Sequence, residues 1–417
     1  MTSLYARWQL KKIEDSLKTR RVLLLSGPRQ CGKTTLAKNI ATPPNLYRTL
    51  DDTVLLESAQ TDPHGFVKHA DNLMVIDEIQ RAPLLLQAVK MDVDKHQNPG
   101  RFLLTGSANI EAIPTVRESL AGRVRHVRLR PLARGEIESS TPHFLSRAFN
   151  NEFSQDILFN YPPEASFKDF YINYALAGGY PEALRFEKER DRRDWCEDYI
   201  DAMIHRDLKD ITNIRRVDEM RQLIKIMAGW SSRFIDFTKI GAGLTLTKPT
   251  LSSYINALEM LYLVERVPPW TKTVYDKVGK LDKLFMNDTG MMSALLGWSF
   301  DKVRLDGACN GMLLESFAFT QLAALLDCQQ ERYTLSHYRD RERREIDFIV
   351  ENEDGALVGI EVKAGSVISN DDFKHLRWFK EHLAMEKPFT GVVLYSGSHC
   401  IPFGNGFWAI PLHALWQ

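Results

Sequence analysis

Neither sign of charge prevails in this chain. Its 417 residues carry 54 lysines and arginines against 54 aspartates and glutamates, a formal net charge of zero. No global field therefore steers it to nucleic acid or anionic lipid, and any such contact must come from a local patch. Cysteine is scarce: the five, at positions 31, 196, 309, 328 and 400, form no C-x-x-C pair and no zinc spacing. That argues against a disulfide framework and suits a reducing compartment. Long apolar runs are missing too, since no stretch approaches the roughly twenty residues a membrane span needs. The first eight residues lack the apolar centre of a secretory signal. These absences lead us to expect a cytoplasmic protein with no membrane partner.

What remains is ordinary globular composition, 44% hydrophobic and 26% charged. A chain of this size should fold as two to four domains, each with its own core. The first distinctive stretch is Gly27-Pro28-Arg29-Gln30-Cys31-Gly32-Lys33-Thr34, a complete G-x-x-x-x-G-K-[ST] pattern. It follows the apolar run Val22-Leu23-Leu24-Leu25 and opens a helical segment at Thr34-Thr35-Leu36. Between a buried strand and a helix start, such a bend aims backbone N–H groups and the helix dipole at one anion. Gly27 and Gly32 permit the tight backbone, and Gln30, Cys31 and Thr35 complete the cradle, Cys31 as a small filler residue. Lys33 reaches the β/γ-phosphates and the Thr34 hydroxyl holds Mg²⁺. The reading is a nucleoside triphosphate site, with ATP and Mg²⁺ as cofactors.

A second apolar strand, Leu73-Met74-Val75-Ile76, ends in Asp77-Glu78. Acids at the tip of a buried strand are costly unless they meet a cation. Beside a phosphate loop, Asp77 is expected to bind Mg²⁺ through water and Glu78 to polarise the attacking water. A third strand, Arg101 to Leu104, runs into Thr105-Gly106-Ser107, whose hydroxyls suit a γ-phosphate sensor or a plain strand-end turn. Arg123, Arg125 and Arg128 are candidates for an arginine finger, in the same chain or from a neighbour, or for a solvated basic edge.

Residues 165–230 read as helices. From Val217 the pattern becomes three helices and a hairpin, the outline of a winged helix-turn-helix. Met220, Leu223, Ile224 and Met227 form the first stripe; Phe234 to Ile240 makes a short second helix; Leu251, Tyr254, Ile255, Leu258 and Leu261 face the core from the third. The other side of that third helix carries Lys248, Thr250, Ser252, Ser253, Asn256 and Glu259, too little charge to decide between DNA contact and packing.

After an apolar helix from Met312 to Phe319, the period switches to strands: Glu345 to Val350, a turn at Asn352-Glu353-Asp354-Gly355, then Ala356 to Lys363. A hairpin centred near Asp354 sets Asp347 opposite Glu361, with Glu361 and Lys363 on one face. Facing carboxylates repel unless a metal joins them. Glu315, Asp347 and Glu361 are thus candidate Mg²⁺ ligands, and Lys363 would orient the attacking water.

Together these residues resemble a widespread family of bacterial and archaeal AAA-superfamily ATPases, near the STAND nucleotide switches, with a C-terminal domain of unknown function. The pieces that match are the loop Gly27 to Thr34, Asp77-Glu78, Leu104 to Ser107, Ser119 to Arg123, Gly178-Gly179-Tyr180-Pro181 and Asp288-Thr289-Gly290. The tail resembles the PD-(D/E)XK restriction-endonuclease fold, carried by Glu315, Asp347, Glu361 and Lys363. The resemblance implies an α/β protein in three parts. A P-loop NTPase parallel sheet would span 1–145, a helical and winged-helix region 146–275, and a nuclease-like α/β domain 276–417. It implies an ATPase; the leading expectation joins it to a DNA-processing or DNA-binding tail whose site would cleave by metal-activated water. The alternative is a nucleotide-switched interaction protein whose tail is catalytically inactive. DNA, a protein partner and further copies of the chain are the partners left open.

Overall fold

The computed structural model describes residues 5–41, 43–107, 122–155, 167–211, 217–273, 276 and 279–417. The chain divides into two compact units, Met1–Leu132 with Ala257–Leu263, and Ala133–Asn256 with Val264–Gln417.

The first unit is built on strands β1 (Val22–Ser26), β2 (Leu46–Thr49), β3 (Met74–Asp77), β4 (Phe102–Gly106) and β5 (Val124–Arg128). They lie in the order β2-β3-β4-β1-β5, and every pairing is parallel. Helices α1 (Gln9–Leu17), α2 (Lys33–Ile40), α3 (Thr53–Thr61), α4 (Pro63–Phe66) and α5 (Leu85–Lys95) connect or cover them. The near-continuous apolar strands are explained by burial on both faces. Val22, Leu24, Ile76 and Leu104 pack with Leu85, Val89 and Val93 of α5. Leu23, Leu25, Val75 and Leu103 pack with Ile13 of α1 and Leu36 of α2. Strand alternation thus feeds two separate core layers, each full side chain contributing about 1.5–3 kcal/mol.

Parallel pairing has a second consequence. The strands finish at one edge of the sheet, with Ser26 level with Gly106 and with Arg128, and Ile76 level with Leu104. In open α/β sheets the crevice beyond the carboxyl ends is where ligands bind.

The second unit begins with helices, among them Phe167–Ala177, Glu189–Ile211 and Val217–Trp230. Met220, Leu223, Ile224 and Met227 are buried as the stripe requires. Next come β6 (Arg233–Phe234), the helix Phe237–Gly241 and, as far as Asn256, the helix Lys248–Met260, then β7 (Val264–Val267) and β8 (Lys283–Met286). The three strands are antiparallel in the order β6-β8-β7. The short helix starts later than the pattern suggested, because Phe234 pairs in β6 and the Asp236 carboxylate caps the amides of Thr238 and Lys239.

The rest is a mixed six-stranded sheet of β9 (Tyr333–Arg339), β10 (Glu345–Asn352), β11 (Leu357–Lys363), β12 (Phe389–Tyr395), β13 (Ile401–Pro402) and β14 (Phe407–Pro411). Its order is β13-β14-β12-β11-β10-β9. The helix Gly307–Cys328, capped by Asp306, packs against it, with Phe319 stacked on Phe285 of β8 at 4.5 Å. This helix outruns the Met312–Phe319 segment read from the sequence. Among the described residues it alone is long and apolar enough to cross a membrane, but two-thirds of its apolar window lies inside the protein (67%).

Candidate functional site

The phosphate loop joins β1 to α2 at the carboxyl edge of the first sheet. Gly27 is required by close approach: a Cβ there would sit 2.0 Å from the Leu129 carbonyl oxygen. Gly32 takes φ +103° as the residue before α2, and Gln30 is left-handed at φ 59°. Cys31 is wholly buried under the loop, its Sγ 3.5 Å from the Leu129 oxygen. It fills space, as expected. Arg7 braces the loop from outside by donating to the carbonyls of Cys31 (2.7 Å) and Arg130 (2.6 Å). Nothing in the local pattern pointed to that arginine.

Lys33 is almost fully buried and donates to the carbonyls of Gly27 (2.9 Å) and Pro28 (2.7 Å). Its ammonium is thus parked on its own loop by two hydrogen bonds that an incoming phosphate can replace. Thr34, half-buried, and Thr35, exposed, sit in the first turn of α2.

Asp77 ends β3 at 1% exposure, and both carboxylate oxygens are held. Tyr47 of β2 donates to one at 2.6 Å, and the Thr105 hydroxyl of β4 donates to the other. Burial, and then Asp77, push the Tyr47 phenol well above its ordinary pKa, so it stays a donor. Thr105 also accepts the Glu78 amide at 3.1 Å. Glu78 is left-handed at φ 60°, a strained setting for a non-glycine residue at a strand tip. Its carboxylate meets the Gln80 amide and, at 3.4 Å, Ser107, while Gln80 also donates to Ser107 at 2.9 Å. Thr105 and Ser107 therefore organise the two acids, and Tyr47 and Gln80 are the supports that sequence reasoning missed.

The arginines separate by register. Arg128 pairs level with Ser26, beside the loop, and its guanidinium lies 5.0 Å from the Tyr262 ring. Arg125 is level with Leu23. Arg123 precedes β5, about 16 Å of strand away from the loop, and binds Asp94 at 2.7 Å. A finger role for Arg123 on its own chain's loop is thereby corrected. Residues 119–121 of that basic stretch lie outside the described residues.

In the second unit, register places Phe348 opposite Ile360, hence Asp347 opposite Glu361. Lys363 Nζ is 3.8 Å from Glu361. The expected juxtaposition is there, but its centre is different. Lys283 of β8, 1% exposed, puts its ammonium 2.6 Å from Glu315, 2.9 Å from Asp347 and 3.0 Å from Glu345. Among the described residues no group of three or more His, Cys, Asp or Glu is disposed to hold a metal ion. A lysine cation sits where the charges of Glu315, Glu345 and Asp347 converge, beside the place where the expectation put Mg²⁺ on Glu315, Asp347 and Glu361. One ammonium cannot balance every acid. Burial, with Asp347 adding to it, raises Glu315 to about 8, and the same causes hold Glu361 well above the usual carboxylate range. Asp347 is lowered despite burial by Lys283 and the Val362 amide. Glu315 therefore carries a proton at neutral pH while Lys283 and Asp347 stay charged.

Two glycine-bearing motifs prove to be one contact. Asp288, buried, accepts the amides of Gly179 (2.7 Å) and Met291 (2.7 Å). Gly178 is left-handed at φ +69°, and a Cβ on it would lie 2.6 Å from Asp288 Oδ1.

Residues 19–138 match the family model of an AAA domain. That supports the AAA-superfamily resemblance, and the five-stranded parallel sheet with its phosphate loop is a P-loop NTPase fold. Residues 168–302 and 310–415 match two families described only as domains of unknown function, DUF8612 and DUF4143. An uncharacterized protein of Mycobacterium tuberculosis is 27% identical over 403 residues, 96% of this chain and 82% of its own. One of Methanocaldococcus jannaschii is 23% identical over 367 residues, 84% of this chain and 76% of its own. Among solved structures, a Walker-type ATPase of Pyrococcus abyssi is 14% identical. It covers 70% of this chain and 96% of that one at a TM-score of 0.40, a likeness too loose to bear on function.

Proposed function

We propose that this chain binds and hydrolyses ATP as a molecular switch. The observation that carries the reading is the meeting of the Gly27–Thr34 loop with the Asp77-Glu78 strand tip at one sheet edge, held apart by β4. One intervening strand spaces β1 from β3 by about 10 Å, room for a metal-bound triphosphate between Lys33 and Asp77. Loop amides and the α2 dipole hold the phosphates, and Lys33 exchanges its two carbonyl partners for phosphate oxygens. The Thr34 hydroxyl and, through water, the Asp77 carboxylate are oxygen donors that fit Mg²⁺. That ion supplies charge neutralisation on the phosphates. Glu78, positioned by Ser107 and Gln80, takes the proton of the attacking water.

For the tail, Lys283 supports one of two readings. A carboxylate set that already holds a buried ammonium favours a module that binds a partner over one that cuts it. On this reading the β6–β8 element is a winged helix, and the nuclease-like sheet is catalytically silent while Lys283 stays in place. Phosphate release from ATP, lost on Glu78→Gln and Lys33→Ala, tests the first part. Magnesium-dependent cleavage of plasmid or single-stranded DNA by wild type, lost on Glu361→Gln, would overturn the second.

A further inference from the structure

A groove of about 830 Å³ opens in the second unit between the β7–β8 connection and β9. Phe234, Trp270 and Tyr338 supply flat apolar wall. Among the described residues, Lys272, Lys280, Arg339 and Arg341 line it as well, four cations from two separate segments against two carboxylates, Asp276 and Asp340. Both carboxylates are spoken for. Asp276 accepts from the Thr273 hydroxyl at 2.8 Å, and Asp340 pairs with Arg344 at 2.8 Å. Arg339 lies 4.3 Å over the Phe234 ring and 4.0 Å from Glu345. Lys272 and Lys280 are exposed.

The independent observation is His337. It lines the groove at 2% exposure, and its Nε2 lies 2.9 Å from the Leu281 carbonyl oxygen. A carbonyl accepts only, so Nε2 bears the proton and Nδ1 presents a bare lone pair. That lone pair has no hydrogen-bond partner among the described residues. Burial lowers the ring to about 4, which keeps it neutral and Nδ1 an acceptor at physiological pH. A buried unpaired acceptor is costly and calls for an N–H or O–H donor. The groove thus asks for a ligand with a planar apolar face, a hydrogen-bond donor near it, and negative charge spread along its length. A peptide of acidic residues alone brings charge and amides but no aromatic face.

We propose that this groove binds single-stranded nucleic acid, with a base beside His337 against the ring walls and successive phosphates on Lys272, Lys280, Arg339 and Arg341. The proposal does not depend on the phosphate loop.

The test is fluorescence anisotropy of a short labelled oligothymidylate with the full-length protein and its Lys33→Ala variant. Both should bind alike, with affinity falling as salt rises. Lys272→Ala/Lys280→Ala, at exposed positions that leave the melting temperature unchanged, should weaken binding at least ~10-fold. It should also lower the salt slope by about 1.4 for two lost single-strand phosphate contacts. His337→Leu should cost roughly fivefold without changing that slope. If the double variant is unexpectedly unstable, Arg339→Ala, retested at matched melting temperature, must show the same loss. Four outcomes overturn the proposal: no binding, equal binding by the groove variants, loss of binding on Lys33→Ala, or poly-glutamate competing as well as unlabelled oligonucleotide. Equal affinity for thymidine monophosphate overturns it too, by reducing the site to a free-nucleotide pocket. Loss of ATP binding with oligonucleotide binding kept would sink the switch and leave this inference standing.

Discussion

The ammonium of Lys283 lies 2.9 Å from the Asp347 carboxylate, inside the core of the second unit. Lysines are almost never fully buried unless paired, and here the pairing spans three acids from a helix and a strand. Lys283→Met should therefore destabilise this unit strongly, by about 3–5 kcal/mol near neutral pH, since it strands buried negative charge. The loss should shrink in mildly acidic buffer, where the acids take up protons. Urea unfolding at two pH values checks both points. A cost below 1 kcal/mol would mean that the lysine is not what balances the cluster.

Glu315 gives the pH dependence its sign. Its folded pKa of about 8 lies above the ordinary 4.5, so the folded state keeps a proton that the unfolded chain releases. Stability from this group is intact below about pH 4.5 and is lost as pH climbs toward 8, at no more than about 1.4 kcal/mol per unit. Glu361 acts in the same direction. Asp347 acts oppositely, and its contribution disappears only as pH falls through its lowered value. Glu315→Gln mimics the protonated acid. It should match wild type near pH 5 and overtake it progressively between pH 6 and 8 in thermal melts.

Much of the first unit was legible because its chemistry is local. Eight consecutive residues make the phosphate loop, and Asp77-Glu78 follows its own apolar strand. Hairpin arithmetic also placed Asp347 against Glu361, since a tight turn at Gly355 fixes register over a few residues. What escaped was non-local. Lys283 lies two helices ahead of the one that carries Glu315, as the first, polar residue of β8. Only the fold turns it inward. Tyr47 sits on β2, at the edge of the sheet, with no mark of its partnership with Asp77. The Gly178 and Asp288 motifs could be quoted separately, but no spacing rule says they touch across 109 intervening positions.

That contact predicts its own outcome. Gly178→Ala adds a left-handed backbone penalty of about 1–2 kcal/mol to a clash with Asp288 worth another 1–3. Asp288→Asn keeps the shape but turns an amide against the Gly179 N–H, costing about 1–3 kcal/mol. The two should be clearly less than additive, because either alone breaks the same joint. Chemical denaturation of the singles and the double measures this, and full additivity would show that the residues act apart.

The Thr105 hydroxyl offers the sharpest test of the nucleotide site, because one atom serves both acids. It donates to Asp77 and accepts the Glu78 amide, so it sets where each carboxylate stands. Thr105→Val keeps the shape of the side chain and removes the oxygen, leaving a buried carboxylate oxygen and an amide without partners. Stability should fall by about 1–3 kcal/mol. Turnover should fall further than nucleotide affinity, since Lys33 and the loop amides are untouched while the acids lose their register. Thr105→Ser should restore most of both. Steady-state ATP hydrolysis alongside calorimetric binding of a non-hydrolysable analogue separates the two effects. A Thr105→Val protein that folds normally and hydrolyses ATP at the wild-type rate would remove Thr105 from the catalytic arrangement.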